Sequence, residues 1–206
     1  MIKNIIFDYG NVIFDIDHQF TIKAFQDLGL QHDKAFFGHL QQNPLFDLFE
    51  MGKITPAQFR NEVRIIADQN FSDETIDNAW NTLLLGIRPG YLEFLTELKP
   101  RYRTFLLSNN NEIHYHWIND YLQREFNVPN MSQFFEHDYY SHLMGMRKPN
   151  ADIFEKVIAD QGLNVNETLF IDDSPQHLET AKKLGLNTHL MLRTEDLREL
   201  LPSLLV

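Results

Sequence analysis

Three strand-like runs of this 206-residue chain end in small polar or acidic side chains. Asp8 follows the apolar start of IIFDYGNVIFDID (5–17), Ser108, Asn109 and Asn110 follow FLL, and Asp172 and Asp173 follow LFI. Lys148 lies in GMRKPN, on the loop before the helix that leads into the third run. Singly, each has an ordinary explanation, because Asp and Asn favour turns and helix caps. Together they point to one site, since ligands of an open α/β sheet sit beyond the carboxyl ends of its strands. The chemistry open to such a set is attack of a carboxylate on a phosphate ester. Two like unit charges about 4 Å apart repel by about 4 kcal/mol at an effective dielectric of about 20, so cations must cancel the repulsion. The oxygen ligands of Asp8, Asp172 and Asp173 suit Mg²⁺, which also binds substrate phosphate. Lys148 would add a second positive charge on the transferring group. Ser108, with backbone amides at the start of the following helix, would cradle the phosphate oxygens.

The elements that must position these residues alternate. Strand-like runs cover 3–9, 104–109, 168–173 and 187–192, with a weaker one at 134–141. The first three are short and continuously apolar, as expected of strands covered on both faces of a parallel sheet. Helical patterns cover 88–99, 111–126, 150–162 and 174–185. This alternation predicts an α/β fold, a doubly wound Rossmann-like parallel sheet. Residues 17–87 differ, with four or five amphipathic helices and no convincing strand. There Thr55, Pro56 and Gln58 spell a helix start with a capping box, and a further helix starts on Ser72 and stops at Gly86. The chain therefore divides into an α/β core (1–16 and 88–206) and an inserted all-helical cap (17–87). The aromatic residues of that insert, Phe36, Phe37, Phe46, Phe49, Phe59 and Trp80, read as packing between its helices.

Composition narrows the function classes. A net charge of −11 argues against general affinity for nucleic acid or anionic membranes. No apolar stretch approaches the roughly 20 residues of a membrane span, and the N-terminus lacks a secretory pattern. The absence of cysteine excludes thiolate chemistry and fits a cytoplasmic protein. The expected partner is a small phosphorylated molecule, and the oligomeric state is not encoded in any motif. His114 and His116 are two apart on a helix and do not face one ligand. His137 and His142 lack a partner at a defensible spacing, so the nine histidines read as surface or core residues rather than zinc ligands. No G-x-S-x-G, P-loop or G-x-G-x-x-G sequence occurs, which removes serine hydrolases, P-loop nucleotidases and dinucleotide enzymes.

With these four stretches in order, the chain resembles the haloacid dehalogenase-like hydrolases over nearly its whole length, and in IIFDYGNV, LLSNNNEIH and GMRKP their small sugar-phosphate phosphatases, including glucose-1-phosphate phosphatases. The resemblance implies that Asp8 forms an aspartyl-phosphate, that Ser108, Asn109 and Lys148 bind the phosphate, and that Asp8, the carbonyl of Gly10 and Asp173 hold Mg²⁺, with Asp172 acting through water. It implies a cap that closes over the substrate and carries its specificity. One position departs. The family's phosphatases usually carry an aspartate acid two places after the nucleophile, and here that place is Gly10. Loss of a general acid typically costs about 10² to 10⁴ in rate. The expectation is then a substrate with an acidic leaving oxygen, such as an anomeric phosphate, or a proton from the cap, from water, or from Asp15 or Asp17. Two other readings remain: a metal-independent 2-haloacid dehalogenase on the same scaffold, and a phosphate- or metal-binding regulatory protein without turnover.

Overall fold

Short runs of β-branched and aromatic residues build the central sheet. The computed structural model describes residues 1–29 and 44–205, and in it strand β1 is Asn4–Phe7. The other sheet strands are β4 (Arg103–Ser108), β5 (His137–Tyr140), β6 (Thr168–Asp172) and β7 (Asn187–Leu190). They run parallel in the order β5-β4-β1-β6-β7. The chain leaves the central β1 to build one side of the sheet and returns to build the other. The strand order therefore reverses at β1, where an open sheet forms its ligand crevice. Even the weak run at 134–141 supplies a strand.

The alternation of side chains along each strand divides the core in two. Ile5, Phe7, Leu106 and Ile171 face one side, under helices α5 (Tyr91–Leu98), α6 (Glu112–Phe126) and α10 (Leu197–Leu204). Ile6, Phe105, Leu107 and Phe170 face the other, under α8 (Ala151–Gln161) and α9 (Pro175–Lys183). A one-turn helix α7 (Ser141–Met144) follows β5. This is the doubly wound arrangement expected from the sequence.

Between β1 and α5 lie helices α1 (His18–Asp27), α2 (Pro44–Glu50), α3 (Pro56–Ala67) and α4 (Asp73–Asn81). The Thr55–Gln58 capping box forms in both directions, with bonds of 3.2 and 2.9 Å. Phe25, Phe46, Phe49, Phe59, Val63, Ile76 and Trp80 pack into a core of their own, to which α6 adds Ile113. Phe49 and Phe59 stack at 4.4 Å. Phe36 and Phe37 lie outside the described residues.

The structure adds one feature here that the hydropathy pattern does not show. The helix begun at Ser72 ends at Asn81 rather than Gly86, and Leu84–Ile87 form strand β3, antiparallel to β2 (Phe14–Ile16). Gly86 makes this possible. It takes φ +134° opposite Asp15, and a Cβ there would lie 2.7 Å from the Tyr121 hydroxyl. The two-stranded ribbon forms the neck between the sheet and the four helices.

Candidate active site

Asp8 is the first residue beyond β1, and its amide donates to the Ile171 carbonyl at 2.8 Å. That bond places it beside Asp172, the last residue of the neighbouring strand β6. Lys148 arrives from the loop before α8 and is completely buried. Its ammonium donates to Asp8 Oδ1 at 2.6 Å and to Asp172 Oδ2 at 2.7 Å. The loop is braced from β4, because the Asn109 carboxamide accepts from the Lys148 amide and donates to the Lys148 carbonyl, both at 2.9 Å.

Asp172 is surrounded by donors. Besides Lys148, its Oδ1 accepts from the Ser174 amide at 2.8 Å and faces His177 Nδ1 at 2.9 Å. Burial works against its charge, but Lys148 and then His177 outweigh burial and hold its carboxyl below the usual range. Asp8 has no comparable support. Burial, opposed by Lys148 and reinforced by Asp172 and Asp173, pushes the Asp8 carboxyl up to about 7. Burial also disfavours the ammonium of Lys148, yet Asp172 and Asp8 raise it above its ordinary value, so it stays charged.

Asp173 is aimed by a residue that the motif reading passes over. Asn11 donates to Asp173 Oδ2 at 2.9 Å and accepts from the Ile16 amide, while holding φ +56°. Asn is one of the few side chains that tolerate that conformation. His177 was equally invisible. Its only signal is a histidine in the first turn of a helix that follows the acidic pair.

Oxygens of Asp8, Asp172 and Asp173 lie within 4.8 Å of one another. Three carboxylates against one ammonium leave net negative charge among hard oxygen donors. That composition fits a divalent cation such as Mg²⁺. Gly10 lines the same cavity, as do Ser108 and Asn109.

Two expectations are refined. The amides of Asn110 and Asn111 already donate, to Ser141 Oγ at 2.8 Å and to Asn110 Oδ1 at 2.8 Å. These two amides are satisfied within the protein, as buried backbone groups must be, and the helix whose first amides are expected to face the phosphate begins at Glu112. The Asn109 carboxamide is engaged in the same way by Lys148. At residue 10 no acid stands, and Ile16 takes the space: its Cδ1 lies 2.8 Å from where a Cβ would be. Of the two downstream carboxylates, Asp15 pairs with Arg88 at 2.7 Å and faces a separate cleft, whereas Asp17 lines the main cavity.

That cavity, of about 660 Å³, opens between the carboxyl edge of the sheet and helices α1, α2 and α4. Phe46, Trp80 and His114 stand in one stack on its wall, at 5.3 and 5.0 Å. His114 is a core histidine. Asn111 and the Trp80 carbonyl hold its two ring nitrogens, and burial pushes it down to about 3.

A parallel α/β sheet with clustered acids and a buried lysine at its carboxyl edge defines the class: a doubly wound enzyme scaffold. A sequence profile of haloacid dehalogenase-like hydrolases matches residues 2–185, and the chain belongs to that family. It is similar to a D-ribitol-5-phosphate phosphatase of Bacteroides thetaiotaomicron, 30% identical over 100% of this chain and 99% of the relative. It is also similar to a HAD family enzyme of Bacteroides thetaiotaomicron solved with magnesium and inorganic phosphate. That structure is 35% identical, with a TM-score of 0.86 over 97% of this chain and 99% of the other. An L-2-haloacid dehalogenase of Xanthobacter autotrophicus shares the fold alone, at 18% identity and a TM-score of 0.59 over 100% of this chain and 85% of the other. No helix among the described residues is long and apolar enough to cross a membrane.

Proposed function

We propose that this protein is a Mg²⁺-dependent phosphatase of small polyol or sugar phosphates, working through an aspartyl-phosphate on Asp8. One observation carries the reading: a fully buried ammonium lies within hydrogen-bond distance of two carboxylates at the ends of adjacent strands. The relatives at 30% identity or more, one a phosphatase of D-ribitol 5-phosphate and one holding magnesium and phosphate, support it.

An Asp8 oxygen attacks phosphorus, and the bond from phosphorus to the ester oxygen breaks. Lys148 holds that carboxylate in line and stabilises charge on the phosphoryl oxygens, while Ser108 donates to them. Water then attacks phosphorus, releases inorganic phosphate and returns Asp8 as a carboxylate. Asp8, Gly10 and Asp173 would hold Mg²⁺, which supplies further neutralisation of the meeting anions. Asp172 keeps Lys148 in place. The leaving oxygen takes its proton from a group other than residue 10, and Asp17 lines the cavity where that proton is needed. The helices of 17–83 act as a cap that encloses the substrate's organic end.

Phosphate release from D-ribitol 5-phosphate, glucose 1-phosphate and glucose 6-phosphate, with Mg²⁺ and with chelator, tests this. Turnover that requires Mg²⁺ and disappears in Asp8→Asn is expected. Halide release from 2-chloropropionate in the presence of chelator would favour a dehalogenase instead. Phosphate binding without hydrolysis of any ester would favour the regulatory reading. Equal rates on the two glucose phosphates would remove the preference for an acidic leaving oxygen.

A further inference from the structure

The residue next to the buried lysine points the other way. Arg147 lines the cavity but is not an anion-binding group, because two carboxylates of α2 already claim it. Its Nη1 lies 3.0 Å from Asp47 Oδ1, its Nη2 2.8 Å from Glu50 Oε2, and its Nε donates to the same Glu50 oxygen at 2.9 Å. All three nitrogens of one guanidinium thus grip a single helix of the cap. Planar fork geometry of this kind fixes orientation as well as distance.

A second tie runs beside it. Ser141 donates to the Glu50 carbonyl at 2.6 Å and accepts from the Asn110 amide, in the loop that follows Ser108. The seat is close. Gly52, at φ +62°, backs onto His142 so tightly that a Cβ would lie 2.2 Å from the His142 carbonyl oxygen. Phe46 and Glu50 of α2 form part of the cavity wall, so the position of α2 fixes the room left for the substrate's organic end. Partly exposed ion pairs add little to stability, so the geometry they impose is the more consequential product.

We infer that Arg147 is a positioning residue that seats helix α2 against the lysine loop and thereby sets which leaving groups the cavity accepts. This rests on the phosphatase reading above. Lys148 does not depend on Arg147 for its own place, since Asp8, Asp172 and Asn109 hold it. Loss of the arginine therefore loosens the cap wall and spares the phosphoryl end.

The test compares two substrates in Arg147→Met. One is whichever of D-ribitol 5-phosphate, glucose 1-phosphate and glucose 6-phosphate the wild type turns over fastest. The other is acetyl phosphate, whose two-carbon leaving group is too short to depend on the cap. On the larger substrate kcat/KM falls about tenfold, chiefly through KM, while acetyl phosphate turnover stays within about twofold. Glu50→Gln gives a milder form of the same split and carries the test if Arg147→Met does not fold. Equal loss on both substrates, or no loss on either, overturns the inference. A wild type that hydrolyses neither overturns the phosphatase reading and this one with it.

Discussion

Lys148 Nζ lies 2.6 Å from Asp8 Oδ1 although the two residues are 140 positions apart in the chain. The lysine is wholly inaccessible to solvent, so this is a buried ion pair rather than a surface contact. A buried pair contributes little net stability, but removing one partner strands the other charge.

Lys148→Met should therefore cost about 3–5 kcal/mol of stability in the metal-free protein, because Asp8 and Asp172 are left facing each other without a cation. Thermal unfolding with and without Mg²⁺ measures it. The loss should shrink when Mg²⁺ is present, while phosphatase activity stays low. An unchanged melting temperature in the metal-free variant would contradict the assignment.

The Asp8 carboxyl gives stability a pH dependence of known sign. Its pKa stands at about 7 in the folded chain against an ordinary 3.8, so between those values the folded state binds more protons than the unfolded one. Stability from this group is then greatest at acidic pH and falls as pH rises from about 4 to about 7. Asp172, held low by Lys148 and His177, acts the other way and only below its ordinary value, so the two windows do not overlap. Melting temperature against pH for metal-free wild type and Asp8→Asn checks this. The slope between pH 4 and 7 should flatten in the variant, which should also lose turnover.

Asn11 aims Asp173 through a bond of 2.9 Å. Removing a group that orients a metal ligand typically lowers metal affinity by about 10- to 100-fold. Asn11→Ala should raise the Mg²⁺ concentration needed for half-maximal activity by that order, with activity recovered at high Mg²⁺. Calorimetric titration of Mg²⁺ gives the same quantity independently of turnover.

Asp17→Asn separates proton donation from binding. Asn also serves as an N-cap, so the bond that Asp17 Oδ1 accepts from the Gln19 amide has a replacement. Hydrolysis of an alkyl ester such as D-ribitol 5-phosphate should fall by about 10² or more. p-Nitrophenyl phosphate, whose leaving group needs no proton, should be nearly unaffected. Equal loss on both would take Asp17 out of the role.

Much of this protein was legible in its residues because the relevant signals are local. Apolar runs such as NIIF and TLFID read as buried strands, and the helical patterns between them point to a parallel sheet. Once the strands are parallel, Asp8, Ser108 and Asp172 must emerge at one edge, since each ends a strand in the same sense. The absence of an acid at Gly10 is likewise a fact of the sequence. What the tertiary structure decided depends on contacts between distant segments. Leu84–Ile87 became a strand only because Phe14–Ile16 came alongside, overriding the helical pattern that runs toward Gly86. The Asn110 amide is held by Ser141 Oγ, a side chain 31 positions away that only the fold brings near. The roles of Asn11 and Arg147 follow from partners 162 and 97 residues away. Side-chain identity specifies what a residue can bond, and the folded chain decides which partner stands at bonding distance.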